Sequence, residues 1–391
     1  MKTSLVIVLL GTALSACGGG SDHDSTPVTP PVVVTPPVVI PPVTTPPVST
    51  DAVTLASQAV AAQAGLAVIA GASADEAVYD VAADIGDTWR ITFDNAKKTF
   101  TVKVLSTQFG LSDRSGTFTS ATSGSVTTYT GTDLNLSIDA RTRLLTGSLK
   151  LGSKASTVSG TGYAVTDVAK LAGSYVFIGA MRNASNGGSR FSPKGSLKIA
   201  ADGSAQLCNA GVFNAQGVCT AVPGLGEADG ANLTLARDSR GLVVARQGQQ
   251  DFGIVHVHAG DRGLALFIDR YGVNQENVMR VGTLVAAKQQ KIGTEINGSY
   301  ACADQGGTTG KIDIAGSSAT VVNNSNGKSH VESVTVNKLG AGTQAVDFDG
   351  VAVLKDPQDA QADYSMFMPV SSSLAVEFST DKSYLTTCLK K

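Results

Sequence analysis

Charge is scarce in this 391-residue chain and neither sign prevails: 30 lysines and arginines stand against 32 aspartates and glutamates, a formal net charge of −2. A nucleic-acid partner needs a basic face that displaces counterions from phosphates, so this balance excludes one. Histidine is limited to four residues and glutamate is sparse, which leaves general acid–base catalysis thinly supplied. The G-x-S-x-G, H-E-x-x-H and P-loop patterns do not occur, so no catalytic residue is assigned and no cofactor is implied. Aromatics make up only 5% of the chain, while Gly, Ser, Thr, Ala and Val abound, a profile of exported all-β proteins in which turns and small residues dominate.

What is present begins at residues 1–16. Lys2 is followed by an apolar run, Leu5 to Leu10, and then by small residues leading to Cys17. The run is too short to span a bilayer, which takes about 20 apolar residues. Leu14-Ser15-Ala16-Cys17 resembles the lipobox of bacterial lipoprotein precursors. The resemblance implies cleavage before Cys17, acylation of its sulfur with chains such as palmitate, and a membrane as the first partner. Gly18 in place of an aspartate after the cysteine implies the outer membrane, at the cell surface or on its periplasmic face. Acyl chains partition at about 0.8 kcal/mol per buried CH₂, so a multiply acylated cysteine is a lasting anchor.

Residues 17–50 form a lipidated tether. From Ser25 to Thr50, Pro-Pro pairs alternate with Val and Thr, and proline fixes φ and removes donors, so this stretch is expected to be extended. At about 3.1 Å per residue it reaches roughly 80 Å. The expected product is a stalk.

With Cys17 assigned to lipid, Cys208, Cys219, Cys302 and Cys388 remain, an even set in an oxidising compartment. Spacing favours Cys208–Cys219, which brackets a short loop, and Cys302–Cys388, which joins the ends of the last block.

Residues 51–83 are alanine-rich and read as helical, with Ser73-x-x-Glu76 at capping-box spacing. From 84 the pattern is antiparallel β, as meandering barrels or sandwiches, in blocks near 84–167, 168–290 and 291–391. Trp89, Ile91 and Phe93 alternate on one strand and Phe100, Val102 and Val104 on the next; Leu134 to Ile138 and Leu145 to Leu151 form a second hairpin. Leu171-Ala172-Gly173-Ser174-Tyr175 recurs as Ile296-Asn297-Gly298-Ser299-Tyr300, and Gly195 to Ala200 is echoed by Gly310 to Ala315. Gly86-Asp87-Thr88-Trp89 reads as a similar opening. A glycine leading into an aromatic-bearing strand and a meander of about 100 residues resembles lipocalin-type barrels. Tyr129-x-Gly131 before Leu134-x-Leu136-x-Ile138 is similar to the hairpins of surface lipoproteins that capture host proteins.

His256 and His258 lie two apart on a strand and face one way, within reach of one metal ion, with Asp251 or Asp261 as an added oxygen ligand. The alternative places both imidazoles on a solvated strand face. Ser379-Thr380-Asp381-Lys382 matches Ser-x-x-Lys without its companion motifs and reads as a turn. Asp347-x-Asp349-Gly350 falls short of a calcium loop, and Asp356 to Asp359 reads as a turn. The expected function is a non-enzymatic binding or structural module on a stalk, with an unknown protein, glycan or small apolar ligand as partner. The alternatives are a tethered hydrolase using aspartates or a histidine-bound metal, and a barrel carrying a small apolar ligand.

Overall fold

Backbone hydrogen bonding gathers the chain into three large antiparallel sheets that follow one another in sequence, with two short strand pairs beside them. The structure is a computed structural model that describes residues 51–184, 188–273, 278–304, 307–339, 345–358, 364–379 and 385–391. The chain adopts the all-β class, with one α-helix, Ala52–Gln63, among the described residues.

That helix starts where its sequence directs. The Asp51 carboxylate accepts from the Thr54 N–H at 2.9 Å and from its hydroxyl at 2.8 Å, capping a run rich in alanine. The rest of 51–83 is not helical. Leu66–Val68 pairs with Tyr163–Val165, and Glu76–Ala83 is a central strand of the first sheet. The Ser73–Glu76 spacing caps no helix; Glu76 Oε2 accepts from the Ala72 N–H at 2.6 Å and closes a turn. Tyr79, Val81 and Ala83 then alternate into a core, and pairing along both edges overrides the helical propensity of alanine.

The first sheet has nine strands, running in space from Arg114–Thr117 through Thr99–Ser106, Asp87–Asp94, Glu76–Ala83, Lys154–Thr161, Leu144–Leu151, Leu134–Asp139 and Val126–Gly131 to Thr119–Ser123. Both expected hairpins are in place, and Trp89, Ile91, Phe93 and Phe100 are buried to 1% exposure or less. Gly86 sits in the turn between the second and third strands of the chain's β portion, so Gly86–Trp89 lies inside this sheet instead of opening it.

The second sheet closes on itself. Gly173–Asn183 pairs on one side with Lys194–Ile199 and on the other with Met279–Lys288, completing a ring of eight through Ser204–Asn209, Asp229–Arg237, Val243–Gln247, Gln250–Gly260 and Gly263–Val273. The third sheet is a closed eight-stranded barrel from Gly298–Asp304 to Thr386–Lys390. Cysteines pair as Cys208–Cys219 and Cys302–Cys388, the second linking residues directly opposite on the closing strands.

The internal repeat is a corner built twice. Tyr175 lies opposite Leu197 and Lys288, and Tyr300 lies opposite Ile312 and Lys390. Each tyrosine hydroxyl donates to a carbonyl four residues back, Leu171 O at 2.6 Å and Ile296 O at 2.8 Å. Each lysine crosses its tyrosine ring and donates to a carbonyl of the entering turn, Ala172 O or Glu295 O. Gly173 and Gly298 have φ of +146° and +142°, and a Cβ there would stand 2.2 Å from Lys288 Nζ or 2.5 Å from Lys390 Cε. Glycine leaves room for the lysine.

Small and apolar outward faces hold the sheets together. Val176, Ile178, Phe267 and Val285 point out of the second barrel into one cluster with Phe348, Met366, Met368 and Phe378 of the third. The turn Val370–Leu374 reaches both other sheets: Ser373 Oγ donates to Asp139 at 2.5 Å, and the Ser372 N–H donates to Asp261 Oδ1 at 2.8 Å.

Candidate functional site

Along Gln250–Gly260, Val255, Val257 and Ala259 enter the second barrel's core, so His256 and His258 point out of it. They share a face, but not a solvated one. Their exposures are 4% and 0%, because Thr88 and the outward residues Thr157, Ser159 and Thr161 of the first sheet are buried with them. Asp269 on the adjacent strand accepts the Thr88 hydroxyl at 2.6 Å, and His256 Nε2 stands 3.4 Å from the same oxygen. Burial pulls His256 down to about 4 and His258 to about 3, and pushes Asp84 up to about 7 and Asp269 well above the carboxylate range. Both rings are therefore neutral at pH 7.

This order of groups does not make an activated nucleophile. In a hydroxyl–imidazole–carboxylate relay the imidazole stands in the middle and takes the hydroxyl proton. Here the threonine stands in the middle, and its hydroxyl donates a hydrogen bond to Asp269. Among the described residues no third His, Cys, Asp or Glu completes a metal-sized group around the pair. Asp251 accepts from Arg246 at 2.8 Å, and Asp261 is engaged by Ser372. His330 lies on a strand of the third barrel beside Glu332, at 2.9 Å.

A different place opens to solvent. Helix Ala52–Gln63 and Leu171 pack into one end of the second barrel, through Ala61 and Ala64. At the opposite end a cavity of about 1160 Å³ enters between the strands. Its apolar floor includes Phe177, Leu207 and Leu284, and its rim carries Lys194, Arg270 and Arg280 with one carboxylate, Asp229. No histidine, cysteine or glutamate is among its described lining residues.

The rim follows from strand alternation. Leu264, Leu266 and Ile268 face inward, so Arg270 and Gly272 do too; Leu284 inward places Gly282 and Arg280 on the same side. Arg270 lies opposite Gly282 and Arg280 opposite Gly272, so each long side chain faces an empty position across the ladder. Phe252 is the extra residue of a bulge between Val243–Gln247 and Gln250–Gly260, which takes it out of the alternation and into the barrel. The Arg270 guanidinium rests 4.0 Å from its ring centroid, and that of Arg280 rests 4.5 Å from Phe191. Arg270 donates to the carbonyls of Phe252, at 2.9 Å, and Tyr271. Burial, then the like charge of Arg280, draws Arg270 down to about 10, leaving it cationic at pH 7.

Sequence reading reached the histidines and missed this rim. The available signal was one further step of the inward alternation after Ile268, which falls on an arginine. The Cys17 anchor and the tether lie outside the described residues, as do Thr380, Asp381 and Lys382 of the Ser-x-x-Lys match and Asp359. Asp347, itself exposed on a largely buried strand, accepts from Lys338 at 2.6 Å, and Asp356 closes a turn to the Gln358 N–H.

No family model matches this chain, and no curated protein does. Among solved structures it is similar to the DNA polymerase III beta subunit of Pseudomonas aeruginosa, at 12% identity over 86% of this chain and 96% of that one, with a TM-score of 0.13. The beta subunit from Thermotoga maritima follows at 11% identity, 86% and 97% coverage and a TM-score of 0.10. Likenesses this weak carry no argument about fold or function.

Proposed function

We propose that this chain is an outer-membrane lipoprotein, anchored through acyl chains on Cys17, whose proline-rich stalk carries a non-enzymatic binding body, and that the mouth of the second barrel is where the body binds. The observation that carries the reading is the cavity of about 1160 Å³ at one end of a barrel whose other end is filled by a helix. Small-molecule sites are concave and combine apolar walls with placed polar groups, in volumes of about 300–1,000 Å³; this cavity is somewhat larger and joins an apolar floor to a polar, charged rim. Of the expected partners, this favours a small ligand with apolar character over a protein or glycan. A hydrolase gains less support: the carboxyls and imidazoles whose protonation burial displaces most, Asp84, Asp269, His256 and His258, do not line this cavity.

The anchor is tested in growing cells. A palmitate analogue should label the parent and not Cys17→Ala, and the variant should fractionate as a soluble protein. Label on the variant, or none on the parent, overturns the anchor. Protease added to intact cells then separates surface display, where the body is removed, from periplasmic work.

A further inference from the structure

We propose that the mouth of the second barrel holds a single-chain anionic amphiphile, with its acid head between Arg270 and Arg280 and its alkyl chain on the apolar floor by Phe177, Leu207 and Leu284. The proposal rests on the binding reading above and adds the chemistry of the ligand.

Three observations carry it. First, two guanidinium groups project from inward positions of neighbouring strands at the only end of the barrel the helix does not fill, where solvation is reduced and like charges repel. Bringing them together is unfavourable unless an anion joins them. Second, neither forms an ion pair among the described residues; Asp229, the single lining carboxylate, reaches neither, and Arg280 Nε is buried without a hydrogen-bond partner. Third, each guanidinium plane is already placed. The Phe252 and Phe191 rings hold them by cation–π contact, and at Gly272, where φ is +136°, a Cβ would stand 3.0 Å from Arg270 Nη1. Planar forks fixed over an apolar floor suit a carboxylate, sulfate or phosphate head that accepts from both, followed by a chain that avoids water. A ligand that is apolar throughout would leave both cations uncompensated.

The test uses the full chain carrying Cys17→Ala, so that no detergent competes. Binding of 11-(dansylamino)undecanoic acid is followed by its fluorescence and compared with its methyl ester, which has the same chain and reporter without the charge. Acetate is included as a head without a chain. The acid should bind at one site at least tenfold more tightly than the ester, and acetate should not displace it at millimolar concentration. Arg270→Gln and, separately, Arg280→Gln should each weaken the acid at least fivefold and leave the ester unchanged, with unaltered circular dichroism. Arg270→Lys should fall between, since it keeps the charge and loses the fork. Equal binding of acid and ester, indifferent to both variants, overturns the head-group assignment while the binding reading stands. Failure of both probes to bind removes the two together. Displacement by acetate would reduce the site to a simple anion site and also contradict the proposal.

Discussion

The buried titratable side chains between the first sheet and the second barrel pull stability in opposite directions with pH. His256 and His258 are neutral in the folded chain down to about 4 and about 3, whereas an unfolded imidazole takes a proton near 6.5. Below that value the unfolded chain binds more protons, so the histidines cost nothing at pH 8 and remove stability as pH falls from 6.5 towards 4. The cost is at most roughly 1–2 kcal/mol per pH unit for each ring. Asp84 has the reverse sign. Its folded value near 7 lies above the ordinary 3.8, so the folded chain holds the extra proton between those values, and stability falls as pH rises through that window. Urea midpoints at pH 8, 6 and 5 should show His258→Gln losing less on acidification than the parent. Asp84→Asn should be the more stable protein at pH 8, with the difference closing towards pH 4. A pH-independent difference in either case would contradict the burial described here.

Among the elements, the repeated corner is the most constrained. Gly173→Ala puts a Cβ where Lys288 Nζ lies and imposes a backbone conformation that L residues rarely adopt, displacing the lysine from Tyr175 and from Ala172 O. A loss of about 1–3 kcal/mol is expected, read as a lower thermal midpoint by circular dichroism, and Gly298→Ala should behave alike because Lys390 stands in the same relation to Tyr300. This device was legible in sequence as the pair Gly-Ser-Tyr and Gly-Ser-Tyr, although its lysines, far along the chain, were not. The hairpins at Trp89 to Val104 and Leu134 to Leu151 were legible because large apolar residues alternate with polar ones at period two. Glu76–Ala83 was misread because alanine speaks for helix until strands pair on both its edges. His256 and His258 alternate with core residues as solvent-facing positions do, and only the first sheet, packing over them, makes them buried. Arg270 and Arg280 become a pair only when the barrel closes and brings their strands together.

At the scale of the molecule, the outward-facing side chains where the sheets meet are as buried as inward-facing ones. Phe267 points away from its own barrel, yet it is fully buried in the cluster shared with the third. Phe267→Ala should therefore cost about 3–5 kcal/mol by denaturant unfolding, as for any large core residue. A loss below about 1 kcal/mol would mean that the barrels do not pack as described. The same packing leaves the free end of the second barrel as the place where a ligand can enter without parting the sheets. The methionines report on this directly: Met181 lines the cavity, whereas Met366 and Met368 are sealed between barrels. In ¹³C-methyl-methionine spectra of the full chain carrying Cys17→Ala, titration with dodecanoate should shift the Met181 resonance saturably and leave those of Met366 and Met368 in place. Saturable shifts at Met366 and Met368 with Met181 unmoved would contradict binding at the mouth.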